Sequence, residues 1–270
     1  MPNIISQSAC FITVRTRSTR LPGKTLLKIR GRTCIEHVID RAKLTTRPER
    51  IVLTTSNLPE DDILQEIAQK NGIDWFRGSL EDKMVRWRDA ARKFGVEFFS
   101  NIDADDLFYA PELMDLGLEQ MAQNPNCDLI KGSEHLACSV FTHAVRTSAL
   151  EKACDTKTTT DTEVYFRFLD DPSRFNVTEL KIDDQGYIYP YIRMTLDYQE
   201  DFDFFSRIFE EFNTDTNTIL AKDIIALVKR NPELAQINMF RQEQYRQNQK
   251  RMIRELEGKV KKCRRTAWTV

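Results

Sequence analysis

The chain has 270 residues, 41% apolar and 30% charged, with nine Gly and nine Pro, which excludes fibrous, collagen-like and wholly disordered proteins. Its 40 Lys and Arg against 41 Asp and Glu leave a formal net charge of -1. No global field draws it to nucleic acid or to a membrane surface, so any charge-based function must be local.

Near the N-terminus the apolar stretch of residues 9–14 is cut short by Arg15, too soon for a signal peptide or a membrane span. The six cysteines (10, 34, 127, 138, 154 and 263) include no C-x-x-C pair and read as reduced thiols. A cytoplasmic location is expected.

Residues 10–14, 51–55, 73–76, 98–102 and 128–130 form short apolar, β-rich runs, the pattern of strands buried on both faces. Helix patterns lie between them. Thr33-x-x-Glu36 reads as a capping box, Ser79-x-x-Asp82 as a weaker one, and Pro111 as a first helical residue. Strands alternating with helices predict a mostly parallel α/β sheet. Residues 139–146, 176–182 and 187–194 read as strands of a β-rich insertion over about 132–195, with a helix at 161–169. Helices return at 202–212 and 219–229. From 246 to 265 nine basic residues face only Glu255 and Glu257. Met252, Ile253, Leu256 and Val260 add an apolar stripe, which fits a terminal helix docked on its own domain or a contact between two copies. The chain thus divides into a domain at 1–235 and a basic helical tail at 236–270.

The run Arg15-Thr16-Arg17-Ser18-Thr19-Arg20-Leu21-Pro22-Gly23-Lys24 follows the first strand. In an open α/β sheet ligands bind outside the carboxyl ends of strands. Arg presents bidentate donors to phosphate oxygens and Lys a point charge, so this loop is suited to a polyphosphate. Gly23-Lys24-Thr25 mimics the end of a P-loop, but Ser18 stands where that motif needs glycine. Asp103, Asp105 and Asp106 close a later strand and can hold Mg²⁺, which takes one or two carboxylates together with substrate phosphates. Asp197, after another short apolar run, is a further candidate ligand. The three histidines (37, 135 and 143) show no metal spacing and receive no catalytic role.

Arg15 to Lys24 resembles the nucleotide-binding loop of bacterial cytidylyltransferases, approximately R-x-x-S-T-R-L-P-G-K. Arg77-Gly78-Ser79 with Glu81-Asp82 is similar to the spore-coat polysaccharide branch of that family. The segment from Asn101 to Leu113 resembles the run from the family's metal aspartate to P-E-L, and Leu196-Asp197 with Glu200-Asp201-Phe202 resembles V-D-x-P-E-D-L. The resemblance implies a Rossmann-like three-layer fold and CMP transfer from CTP to an acidic sugar or a small phosphorylated or phosphonate acceptor. It implies Mg²⁺ on Asp105 and Asp197, catalytic cations at Arg15, Arg20 and Lys24, and nucleotide contacts from Arg15, Thr16, Arg17, Ser18, Thr19, Arg20, Lys24, Ser79 and Asp103. A homodimer is expected because related enzymes are commonly dimers, and no nucleic acid partner is. Asp103 replaces a common Gln and Leu107 a common Pro. Residues 132–195 lack acceptor signatures, although Arg146, Arg167, Arg174, Arg193 and Tyr165 are candidates there. The alternative is a metal-dependent glycosyltransferase using Asp103-Ala104-Asp105 as a D-x-D motif.

Overall fold

The computed structural model describes residues 3–266, and the side chains of residues 3–255. Strand β1 (Ile5–Thr13) is buried from Ser8 onward. Its alternation sends Ala9 and Phe11 to one face of the sheet and Cys10 and Ile12 to the other, so both faces need a covering layer.

A small hairpin of β2 (Lys28–Ile29) and β3 (Arg32–Thr33) leads into α1 (Cys34–Ala42). Here the expected capping box forms. Glu36 N donates to Thr33 Oγ1 at 3.3 Å, and Thr33 N donates to Glu36 Oε2 at 2.9 Å. The chain continues through β4 (Pro48–Ser56), α2 (Asp62–Lys70), β5 (Asp74–Gly78), α3 (Lys83–Phe94), β6 (Phe98–Asp103) and α4 (Pro111–Gln123). Pro111 is the first residue of α4, where its missing N–H costs nothing. Next come β7 (Leu129–Lys131), β8 (His143–Arg146), α5 (Thr147–Thr156), α6 (Phe166–Leu169) and β9 (Val177–Glu179). The last helices are α7 (Gln199–Glu211), α8 (Ala221–Arg230), α9 (Glu233–Gln236) and α10 (Arg241–Thr266).

The sheet has seven strands in the order β5-β4-β1-β6-β8-β7-β9. Only β8 runs against the rest. One face packs α1, α2, α4, α7 and α8, and the other packs α3 and α5, giving the expected Rossmann-like three layers. The chain leaves β1 toward β4 on one side and later returns to β6 on the other. That reversal opens a crevice at the carboxyl ends of β1 and β6, the usual ligand position in such sheets.

Three local expectations fail. Asp82, not Ser79, caps α3, accepting from Val85 N at 3.1 Å, while Ser79 Oγ accepts from Asp82 N at 3.1 Å. Residues 187–194 form no strand. After a 3-10 turn at Gln185–Tyr187 the Tyr187 carbonyl is taken by Ala137 N, and a single bridge joins Ile188 to Leu136. The helix expected at 161–169 shrinks to α6, because Thr162 is drawn into the cap of α3 through Asp82 Oδ1, 3.2 Å away. Helix α5, which the sequence reading left out, takes over the covering of β8. The five described cysteines are free, and Cys263 lies outside the described side chains.

Arg41 on α1 is 1% exposed and ties the layers together. It donates to the carbonyls of Tyr109 and Ile219 and to Asn217 Oδ1, and burial lowers its pKa to about 10. Arg41→Ala orphans two buried carbonyls, and urea unfolding should show a loss of about 3 kcal/mol. His143 on β8 pairs through Nδ1 with the Tyr165 hydroxyl at 2.9 Å. Burial pushes its pKa down to about 4. The unfolded chain binds that proton below about pH 6.5 while the native state refuses it until about pH 4. Stability contributed by neutral His143 is therefore present above pH 6.5 and lost as pH falls toward 4. Melting curves of His143→Gln should lose that part of the acid slope.

Candidate active site

The loop after β1 is tied to the segment that follows β4. Thr16 donates from both N and Oγ1 to Asp61 Oδ1, at 2.8 and 2.7 Å. Burial would raise the Asp61 pKa, but bonds from Ser56 and Thr16 hold it below the usual carboxylate value. Thr16 is thus the loop's anchor. Gly23 takes the left-handed conformation (φ 67°), which glycine adopts freely, and turns the chain so that Lys24 points inward.

Lys24 is the pivot. Its ammonium donates to Asp105 Oδ2 at 2.9 Å, to Asp197 Oδ1 at 3.1 Å and to the Leu196 carbonyl at 2.6 Å. Burial alone would lower its pKa, but Asp105 and Asp197 overcome that and hold it above the ordinary lysine value. Leu196 N donates to the Asp105 carbonyl at 2.8 Å, tying the two acidic segments together by backbone.

Asp197 is 1% exposed and is met by three cations. Arg20 Nη2 lies 2.5 Å and Lys24 3.1 Å from Oδ1, and Arg193 Nη2 lies 3.2 Å from Oδ2. Burial pushes its pKa up, but these cations win, and it lies below the usual aspartate value. Arg193, fully buried, also forks onto Asp201, with Nε to Oδ1 at 2.9 Å and Nη2 to Oδ2 at 3.1 Å. Asp201 Oδ2 accepts from the backbone N of Asp197 and Tyr198 at the start of α7, where helix polarity favours a carboxylate. Asp105 and Asp106 behave differently. Burial raises the pKa of both: at Asp105 it outweighs the lowering by the Lys24 ammonium, and at Asp106 the neighbouring Asp105 and Asp103 add to it.

Around this centre lies a cavity of about 1000 Å³, large enough for a nucleotide and a small acceptor. Of the residues expected from the sequence, Arg15, Arg17, Ser18, Thr19, Arg20, Lys24, Asp103, Asp105 and Asp197 line it. Thr16 and Ser79 do not: the first anchors the loop and the second serves the cap of α3. Arg15 bonds to Glu163 (2.8 Å) and Arg17 to Glu60 (2.9 Å). Asp103 Oδ1 takes Lys83 Nζ at 2.5 Å. Of the acceptor candidates Tyr165 lines the cavity. Arg146 and Arg174 are spent on backbone carbonyls of the α4–β7 turn and on Thr156.

Several lining residues escaped sequence reasoning: Lys83, Glu163, and Gln242, Tyr245 and Arg246 of α10. The spacing of Arg193, Asp197 and Asp201, four apart, was the available sign of the buried network. Met252, from the apolar stripe, lines the cavity, as a terminal helix docked on its own domain would have it. The side chains of Leu256 and Val260 lie outside the described residues.

The donor set suits Mg²⁺. Asp105 and Asp197 offer oxygen ligands, and among the described residues no group of three or more His, Cys, Asp or Glu forms a closed metal cage. An ion that shares its coordination with substrate phosphates needs no more.

The spore coat polysaccharide biosynthesis protein SpsF of Bacillus subtilis is 25% identical over 245 residues, covering 83% of this chain and 95% of its own. A 3-deoxy-manno-octulosonate cytidylyltransferase of Geobacter sulfurreducens is 28% identical over 116 residues, 43% of this chain and 45% of its own. The structure of a cytidylyltransferase from Leptospira borgpetersenii superposes with a TM-score of 0.78 at 24% identity, covering 85% of this chain and 97% of that one. Among the described residues no helix is long and apolar enough to cross a membrane. The cytidylyltransferase family model matches residues 9–255, across the site and the first half of α10, and with this geometry the chain belongs to the cytidylyltransferase family of nucleotidyltransferases.

Proposed function

We propose that the protein transfers CMP from CTP to an acidic sugar or a small phosphorylated acceptor, releasing pyrophosphate, with Mg²⁺ held by Asp105 and Asp197. The observation that carries the reading is the Lys24 ammonium seated between those two carboxylates at the foot of a loop bearing three arginines.

Lys24 and Arg20 neutralise the acidic pair. A triphosphate offers them phosphate oxygens instead, so its arrival frees carboxylate oxygens as it supplies negative charge. Mg²⁺ bound there would polarise the phosphate oxygens and offset charge growing on the leaving group. An acceptor oxygen attacks the α-phosphorus in line. The new P–O bond forms as the bond from the α-phosphorus to the α,β-bridging oxygen breaks, and the electron pair leaves on pyrophosphate. Arg15, Arg20 and Lys24 stabilise that departing charge more in the transition state than in the ground state, which is what accelerates the step. The network behind Asp197 keeps one ligand fixed while this exchange takes place.

The glycosyltransferase reading is disfavoured by the cytidylyltransferase family match over residues 9–255. The sugar-acid enzymes and the spore-coat protein among the relatives support an acceptor in glycan synthesis. CTP as substrate implies the cytoplasm, and a homodimer belongs to the same proposal, which light scattering decides.

CTP with Mg²⁺ should stabilise the fold by about 2.7 kcal/mol at a hundredfold excess over Kd. ATP, GTP and UTP should give smaller thermal shifts, and equal shifts with all four would remove the cytidine assignment. Asp105→Asn should lower turnover on the order of 10² to 10³-fold with little change in stability. Asp197→Asn should lose turnover equally but also cost about 3 kcal/mol, because it leaves buried cations short of a partner. Near-normal turnover in either variant contradicts the metal assignment.

A further inference from the structure

The basic C-terminal helix forms one wall of the catalytic cavity. Its first turns rest on the network behind Asp197. Arg241 forks onto Glu200 (Nε to Oε2 3.0 Å, Nη2 to Oε1 2.7 Å), Gln242 Oε1 accepts from Arg193 Nη1 at 3.0 Å, and the Arg193 guanidinium lies 4.8 Å from the centroid of the Tyr245 ring. Asn248 Nδ2 donates to the Tyr198 hydroxyl at 3.2 Å. Positions 242, 245, 246 and 249 fall on one helical face, so the face seated on the network continues as cavity lining through Arg246 and Gln249.

Charge decides what that wall meets. The cations of the loop after β1 suffice for a triphosphate. On the insertion side, Lys83 is matched by Asp103 at 2.5 Å and Lys131 by Asp170 at 2.9 Å. Arg86 is buried and donates to the carbonyls of Ser79 and Leu80, and Arg251 faces Glu255 at 3.8 Å. Among the described residues Arg246, an exposed side chain of the cavity lining, has no carboxylate or carbonyl partner, and the half-buried Gln249 amide has no hydrogen bond within the protein. An uncompensated guanidinium and a free amide one turn apart present a fork of donors to an anion with further oxygens.

We propose that Arg246, with Gln249, binds the anionic group of the acceptor, so that α10 is the acceptor-reading wall. The inference rests on the cytidylyl-transfer reading and adds to it the residues that meet the acceptor's carboxylate or phosphate. The helix that reads the acceptor is bonded to the same arginine that holds Asp197, so acceptor binding and the metal ligand share one rigid support.

The full chain, saturated with Mg²⁺ and a CTP analogue that has a methylene between the α and β phosphorus atoms, is titrated by calorimetry. The probes are 3-deoxy-manno-octulosonate, N-acetylneuraminate, glucose 1-phosphate and neutral glucose. At least one anionic probe should bind the wild type while glucose does not, and whether a sugar acid or the phosphate binds identifies the anion. Arg246→Gln should weaken that probe about 10- to 100-fold and change affinity for the CTP analogue less than about threefold. Arg246→Lys should recover part of the loss, and Arg251→Gln should match the wild type. Unchanged probe affinity in Arg246→Gln, a parallel loss of nucleotide affinity, equal binding of glucose, or no binding by any anionic probe overturns the proposal. In each of those cases nucleotide binding by the wild type still stands, whereas a wild type that fails to bind the CTP analogue overturns the transfer reading itself.

Discussion

A buried carboxylate ringed by three cations organises the candidate active site. Asp197 could not remain ionised at 1% exposure without compensation, since an unpaired buried charge costs several kcal/mol. Lys24 and Arg20 come from the loop after β1, and Arg193 from the chain before α7. Two distant segments are thereby pinned to one point at the mouth of the sheet. Because two of the three cations reach from a loop and one from a fully buried position, they have different freedom. On the transfer reading Arg20 and Lys24 exchange their partner for phosphate, while Arg193 stays held by its fork onto Asp201.

That division links fold to chemistry. The crevice between β1 and β6 exists because strand order reverses there, and the sequence places a cationic run and an acidic cluster on the two loops that flank it. Preorganisation comes from outside the loops: Asp61 anchors Thr16, and Asp201 orients Arg193 and the first backbone N–H groups of α7. Rigid donors set before substrate arrives are worth more than flexible ones, since no reorganisation is needed during the reaction. Helix α10 extends the same support to the far wall of the cavity.

Much of this was legible in the sequence because it is local. The loop from Arg15 to Lys24 is contiguous, Asp105 follows an apolar strand, and Thr33-x-x-Glu36 is a four-residue device. Asp197 was legible as an aspartate after a short apolar run, and gained its weight from the resemblance to a family segment. What escaped depends on packing between distant positions. Nothing near Gln242 or Tyr245 marks them as neighbours of Arg193, and a basic tail ordinarily reads as a solvated surface. Ser79 was assigned to the nucleotide because it stands beside a family-like Arg-Gly pair, yet its hydroxyl serves the approach to α3. The insertion read as strands because residues 187–194 are rich in Tyr and Ile, but their backbone groups are satisfied by loop contacts rather than by a ladder.

The most direct test of the account is pyrophosphate release by the full-length protein supplied with Mg²⁺, CTP and a panel of sugar acids and sugar phosphates, beside a parallel assay for sugar transfer from nucleotide-sugars. The account predicts pyrophosphate from CTP only when an anionic acceptor is present, with a CMP-linked product in equal amount. Sugar transfer from a nucleotide-sugar, with no pyrophosphate from CTP across the panel, would contradict it.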